Sequence, residues 1–179
     1  TERGQIIAEK TVDFLCTEGF TVVSGLANGI DTIAHQQTLK NQGKTIAVLV
    51  DAMNIHPKAN IHLAESILEQ GGLLVSENPP RVPVIPQLFA KRDRIQAGLS
   101  TAVFAIETSK TGGTRHAMEQ ASKYKRLVYV PDYEKSGYQD TSIPQLEGLK
   151  NFYETGIAEK YTKLDYAQIA SKIKEKYSV

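Results

Sequence analysis

The sequence predicts an α/β protein built on a doubly wound, mostly parallel sheet flanked by helices. Three observations predict it. Five apolar, β-branched runs recur: FTVVSG (20–25), TIAVLV (45–50), GLLVSE (72–77), TAVFAIE (101–107) and RLVYVP (126–131). They are apolar almost throughout rather than alternating, which is the pattern of strands buried on both faces. Between them lie segments with apolar residues at three- and four-residue spacing, so strands and helices alternate along the chain.

In chain order, the first helix is expected over 5–19 (QIIAEKTVDFLCTEG), followed by the strand at 20–25. A second helix, 30–43 (IDTIAHQQTLKNQG), leads to the strand at 45–50, and a third, 60–72 (NIHLAESILEQGG), leads to the strand at 72–77. Several of these segments end in glycine, a common helix stop. QLFAKRDRIQAGLS (87–100) follows, then the fourth strand, a helix at 115–125 (RHAMEQASKYK) and the fifth strand. After Pro131 the chain turns polar and turn-rich (PDYEKSGYQDTSIP), then closes with helices at 144–157 and 164–178. The crossovers are expected to be right-handed. With no repeat, low-complexity tract or linker, residues 1–179 are expected to form one domain.

The composition is that of an ordinary soluble globular protein, 41% hydrophobic and 23% charged. A formal net charge of +1 excludes a protein-wide basic field, so any nucleic-acid site must be a local patch. One cysteine, Cys16, excludes an internal disulfide and fits a packed core thiol. No apolar run reaches the roughly 20 residues that span a bilayer, and the first ten residues lack a signal-peptide pattern; a cytoplasmic location without membrane contact is expected.

In open parallel sheets, ligands bind beyond the carboxyl ends of the strands. The loops expected there are SGLANG (24–29), DAMNIHPKAN (51–60), SENPPRVPVIPQ (76–87), ETSKTGGT (107–114) and PDYEKSG (131–137). Those expected at the opposite edge are brief: EG, NQGK, GG and YKR. Length and chemistry therefore share one edge. In SGLANG and KTGGT, glycines let backbone N–H groups approach an anion, and the next helix presents its positive dipole end. Ser24, Gly25 and Gly29 belong to the first loop; Lys110, Thr111, Gly112, Gly113 and Thr114 to the second. Either turn can instead be a simple strand-to-helix connection. Lys91, Arg92 and Arg94 form a basic cluster; on a helix Lys91 and Arg94 share a face and Arg92 points away. The alternative is a solvated basic face, or an arginine paired with Asp93 or a sheet-edge carboxylate such as Glu107. Lys58 precedes a helix with Asn60 near its N-cap, and Asp31 and His35 are spaced to meet on a helix, in a structural hydrogen bond rather than as the alternative acid–base pair. Phe89 suits the core or a stacked base. His56, His62 and His116 form no metal-ligand pattern, and no cofactor or metal is expected. A nucleophile elbow, a Walker A sequence and a placeable carboxylate pair are all lacking, which favours a binding protein over an enzyme.

Six segments, in order, carry a family resemblance: SGLANGIDTIAHQQTL, HPKAN, LLVSENPP, FAKRDRIQAGLS, ETSKTGGTRHAMEQA and RLVYVPDYEKSG. From about residue 5 to about 160 the chain resembles the DprA/Smf family, the DNA-processing proteins of natural transformation and competence. The resemblance implies an extended Rossmann-like fold that binds single-stranded DNA without sequence preference, helps load the RecA recombinase in DNA recombination, and acts as a dimer. The DNA-contact candidates it implies are Ser24, Gly25, Gly29, Lys58, Arg92, Arg94, Lys110 and Gly112, with Thr111 and Gly113 in the same loop.

Departures from the family pattern are specific. The family's opening strand, ending in Gly-Ser-Arg, its N-terminal helical domain and its winged helix have no counterpart in these residues. Two glycines are replaced in VLVDAMNIHP, and Asp93 stands where the family has asparagine. A second reading comes from related Rossmann-like families carrying PGGxGTxxE. KTGGTRHAME is similar, which makes the chain a nucleotide sensor, or a nucleotide phosphoribohydrolase with Glu119 assisting water. A third reading is a partner-binding protein whose pocket has fallen out of use. The closing segment, with Leu164, Ile169 and Ile173, is expected to pack on its own domain or join two subunits.

Overall fold

Apolar runs need partners on both sides, and here they find them as parallel ladders. The computed structural model describes residues 1–177. The last residue of the expected closing helix, 178, lies outside them. Among the described residues the helices are α1 (Glu2–Thr17), α2 (Ile30–Lys40), α3 (Ile61–Glu69), α4 (Pro86–Leu99), α5 (Thr114–Lys123), α6 (Pro144–Glu154) and α7 (Tyr166–Tyr177). The strands are β1 (Val22–Ser24), β2 (Thr45–Val48), β3 (Leu73–Val75), β4 (Ala102–Phe104), β5 (Leu127–Pro131) and β6 (Glu159–Tyr161). All strand pairs are parallel, as the α/β reading requires, and they form two three-stranded sheets. The chain divides into two compact units, residues 8–96 and residues 1–7 together with the chain from 97 onward.

In the first unit the order is β1-β2-β3, with Val22 opposite Thr45 and Ile46 opposite Leu73. Parallel neighbours need crossovers, and α2 and α3 supply them. The central strand runs on into Leu49 and Val50, so residues 47–50 are buried. Leu26, Ala47, Leu49, Ala64 and Ile67 form one apolar cluster, towards α3. Val12, Val22 and Ala34 form another, towards α1 and α2. Cys16 lies beside the second, and burial pushes its thiol pKa up.

In the second unit the order is β4-β5-β6, with α5 and α6 as crossovers. β5 is buried along its whole length. Met118, Val128, Val130, Leu146, Leu149 and Phe152 make the main core. Phe104 stacks on Tyr129 at 5.1 Å between ring centres, and Tyr161 meets both rings edge-on. Burial is the main cause of a Tyr129 hydroxyl pKa pushed up to about 12.

β6 has no counterpart among the expected strands. Its residues, Glu-Lys-Tyr, face solvent except for Tyr161, so an edge strand of three residues offers no apolar run to read. Pro86 opens α4, where its missing N–H costs nothing. Among the described residues no helix is long and apolar enough to cross a membrane.

Candidate nucleic-acid interface

The turn after β1 is fastened from several sides. Ser24 and Gly25 are buried, and Leu26 is fully buried with a positive φ of 63°. A leucine in that region needs support. Asn60 supplies it, its Nδ2 donating to the Leu26 carbonyl and to Thr32 Oγ1, both at 2.8 Å. The Asp31 carboxylate accepts from Ala27 N at 3.2 Å. Gly29, exposed with φ of 91°, occupies the N-cap position of α2, where no side chain caps the helix. Asn60 does stand at the α3 N-cap position, but its amide is spent on the Leu26 turn rather than on capping.

Arg92 comes from α4 and lies over that turn. It is only 5% exposed, and its Nη1 donates to the Val48 carbonyl at 2.7 Å. Its Nε faces Asp93 at 3.3 Å, and its guanidinium lies 5.9 Å from the Phe89 ring centre. A Cβ on Gly25 would stand 1.8 Å from Arg92 Nη1, so glycine is what lets the arginine seat here. Asp93 also accepts from Gln96 at 2.8 Å. The aspartate thus serves partly to neutralise a buried cation.

Gly25 and Arg92 line a narrow recess, together with Asp51, Asn54, His56 and Phe89. Lys58, exposed, reaches it indirectly: its Nζ donates to Asn54 Oδ1 at 2.6 Å. The Asp51 carboxylate accepts from the backbone N–H groups of Met53 (2.8 Å) and Arg81 (2.6 Å), which hold its pKa below the usual carboxylate range. Ser76 and Asn78 both donate to the Val50 carbonyl, tying the loop after β3 to the loop after β2. The sequence assigns Asp51 and Asn54 no role and shows His56 only among histidines without a metal-ligand pattern; the clue is a polar run directly after a buried strand. Lys91 and Arg94 share a helix face, as their spacing requires, and both pair with Glu77. Arg94 thus stands outside the residues that line the recess.

The helical pair Asp31 and His35 resolves differently from the expected mutual hydrogen bond. His35 is fully buried, and its Nδ1 meets Thr45 Oγ1 at 2.7 Å. Because that hydroxyl donates to the Val22 carbonyl at 2.9 Å, it must accept from His35, which fixes the proton on Nδ1. Burial lowers the His35 pKa to about 4; Asp31 opposes the shift and Arg92 adds to it.

In the second unit, Lys110, Thr111, Gly112 and Gly113 lead into α5, whose first turn also lacks a side-chain cap. α6 braces this loop: Thr108 N donates to the Gln145 carbonyl at 2.7 Å, and Gly148 N donates to the Thr108 carbonyl at 3.0 Å. A Cβ on Gly148 would stand 2.1 Å from the Ser109 carbonyl oxygen. Lys110 and Thr111 are exposed, with Lys110 Nζ 3.7 Å from Glu147. Glu119, the residue of the hydrolase reading, faces Arg115 and His116 at 3.8 Å each.

The structure therefore gathers Gly25, Arg92 and, through Asn54, Lys58 around one recess of the first unit, above Ser24 and near the start of α2. It gathers Lys110 to Gly113 in one braced loop of the second. Together the fold and these loops define a parallel α/β protein whose glycine turns and cations follow its strands.

The chain belongs to the DNA recombination-mediator protein A family, whose profile matches residues 1–172. It is 47% identical over 111 residues to protein Smf of Escherichia coli, covering 59% of this chain and 30% of that protein. It superposes on DNA processing protein A (DprA) of Streptococcus pneumoniae with a TM-score of 0.80 and 30% identity, over 94% of this chain and 57% of that one. It also superposes on DNA processing protein A of Helicobacter pylori, a structure described for its single-stranded DNA binding mode, with a TM-score of 0.81. That match has 22% identity and spans 98% of this chain and 76% of the other, a likeness of fold. The chain spans 30–50% of the length of the curated relatives it matches.

Proposed function

We propose that this chain binds single-stranded DNA without sequence preference, through the loops that follow its parallel strands, and serves DNA processing and recombination by binding rather than by catalysis. The proposal extends to natural transformation, to a homodimer, and to delivery of the bound strand to the RecA recombinase. Family membership supports it, as does the DNA-binding mode described for the H. pylori protein. The observation that carries it is the recess of the first unit, where a glycine turn, a buried arginine and a rim lysine converge.

In this mechanism the exposed cations, Lys58 and Lys110, neutralise backbone phosphates, while free N–H groups at the starts of α2 and α5 add donors. Arg92 acts from beneath, its contacts holding the Gly25 turn in place while Asp93 offsets part of its charge. The Phe89 face beside it is spent on the guanidinium. Affinity then rests on electrostatics, and its logarithm falls with the logarithm of salt by about 0.7 per phosphate neutralised.

The test is a fluorescence titration of labelled oligo-dT at two salt concentrations. Lys58→Ala and Lys110→Ala should each weaken binding for every sequence and lower the salt slope by about 0.7. Identical affinity and slope in both variants would refute the site. Incubation with AMP should release no adenine, and AMP should not compete with the oligonucleotide at comparable concentration. Saturable AMP binding without oligo-dT binding would instead establish a nucleotide sensor.

A further inference from the structure

One short loop at the opposite edge of the second unit, Tyr124-Lys125-Arg126, is not used by the proposed site. It follows α5 and enters β5 at its amino end, and the C-terminus of α7 lies against it. Lys176 Nζ donates to the Lys125 carbonyl at 2.8 Å. The Arg126 guanidinium stacks over the Tyr177 ring at 5.4 Å and donates to the Gly98 carbonyl at 3.1 Å. Lys123, in the last turn of α5, adds a fourth cation. Among the described residues none of these four is paired with a carboxylate, whereas Lys110, Lys150 and Lys172 each face one.

Lysines at helix C-termini have an ordinary role, complementing the negative dipole end. That role does not exhaust this cluster. Two helix ends supply about half a negative charge each, and Glu175 adds one carboxylate, against four cations. Lys125 also sits at φ of 55°, the left-handed position past a helix end that glycine fills at least cost. Tyr124, 42% exposed, presents an aromatic face amid the charges.

We infer that Lys123, Lys125, Arg126 and Lys176, with Tyr124, form a second contact surface for a single nucleic-acid strand. It would take phosphates on the lysines and a base on the tyrosine. An exposed aromatic ring among unpaired cations favours a nucleic acid over an acidic polypeptide, which has no base to stack. The inference rests on the proposal that the chain binds single-stranded DNA. It adds that a strand long enough to reach the far edge of the second unit gains affinity there, while a short one does not.

The test compares oligo-dT of about 10 and about 40 nucleotides on the wild-type chain and on the triple variant Lys123→Gln, Lys125→Gln, Lys176→Gln. All three lysines are exposed, so the variant should keep the wild-type circular dichroism and melting temperature. For the long oligonucleotide the salt slope should fall by about 2, and affinity at ~0.1 M salt by tenfold or more. For the short one, both should stay within about twofold. Unchanged long-strand binding by a folded variant, with normal short-strand binding, overturns this surface and leaves the main site standing. Absence of any oligo-dT binding by the wild type overturns the proposed function itself. Lysine-dependent binding of poly-glutamate without a length effect on oligo-dT would assign the surface to an acidic protein and also overturn the inference.

Discussion

Replacing Gly25 with alanine tests whether the buried arginine and the turn after β1 form one unit. The added methyl would stand 1.8 Å from Arg92 Nη1, 2.6 Å from Arg92 Cζ and 2.7 Å from Asp31 Oδ2. A surface arginine would swing away at little cost. This one is 5% exposed and holds the Val48 carbonyl at 2.7 Å, so moving it forfeits a charge-assisted hydrogen bond in a buried setting. Asp31 is held too, by its bond from Ala27 N. Overpacking of this kind costs about 1–3 kcal/mol, and loss of a hydrogen bond to a charged group about 1.5–3 kcal/mol. Because one displacement causes both, the expected total is about 2–3 kcal/mol rather than their sum. In a chain of this length that lowers the melting temperature by roughly 4–12 °C. The assay is urea and thermal unfolding of Gly25→Ala, Arg92→Ala and the double variant. The two substitutions should be coupled by about 1 kcal/mol or more, since without Arg92 the two closest contacts of the methyl are gone and only Asp31 remains. A Gly25→Ala protein melting within a degree of wild type, or strictly additive costs, would refute the account of the turn.

Two further predictions concern stability. His35 has a folded pKa lowered to about 4 from the ordinary 6.5, so between those values the unfolded chain binds the extra proton. Stability is therefore fully present above about pH 6.5 and falls as pH drops towards 4; between pH 7 and pH 5 the loss from this group is about 2 kcal/mol. Urea midpoints at the two pH values should show it, His35→Gln should flatten the difference, and an equally steep loss in that variant would refute the assignment. Gly148→Ala drives a methyl against the Ser109 backbone carbonyl, which no rotamer change relieves. It should cost about 3 kcal/mol or more in thermal unfolding and abolish the Lys110 contribution to oligo-dT binding; a wild-type melting temperature would count against the described brace.

The strands of the core were legible because burial on both faces leaves an unbroken apolar signature; residues 47–50 and 127–131 are the clearest cases. β6 was not, because an edge strand with one inward residue has no such signature. The site was legible as chemistry but not as geometry. The sequence displays Arg92 beside Lys91 and Arg94 as three like charges. Nothing local in it says that one is buried over Gly25, 67 positions away in the chain, while the other two share Glu77. The same holds for His35, whose partner proved to be Thr45 on the neighbouring strand rather than Asp31 one turn away. Helical spacing lists who can meet; the competition between a buried hydroxyl and a half-exposed carboxylate decides who does.

That distinction bears on what a near-neutral chain needs in order to hold a polyanion. A cation committed to a carboxylate must be freed before it can serve a phosphate, and an exposed pair of this type is worth 1 kcal/mol or less. Lys110 faces Glu147 at 3.7 Å and bears that small cost, whereas Lys58 is held by the neutral amide of Asn54 and bears none. Arg92 cannot be freed at all without unseating Val48 and Gly25. In the proposed site the division of labour has Arg92, paired with Asp93, holding the turn, a lysine on a neutral tether making first contact, and a paired lysine exchanging partners afterwards. The formal net charge of +1 is compatible with this, because what draws the strand is where unpaired charge lies and not how much the chain carries in total.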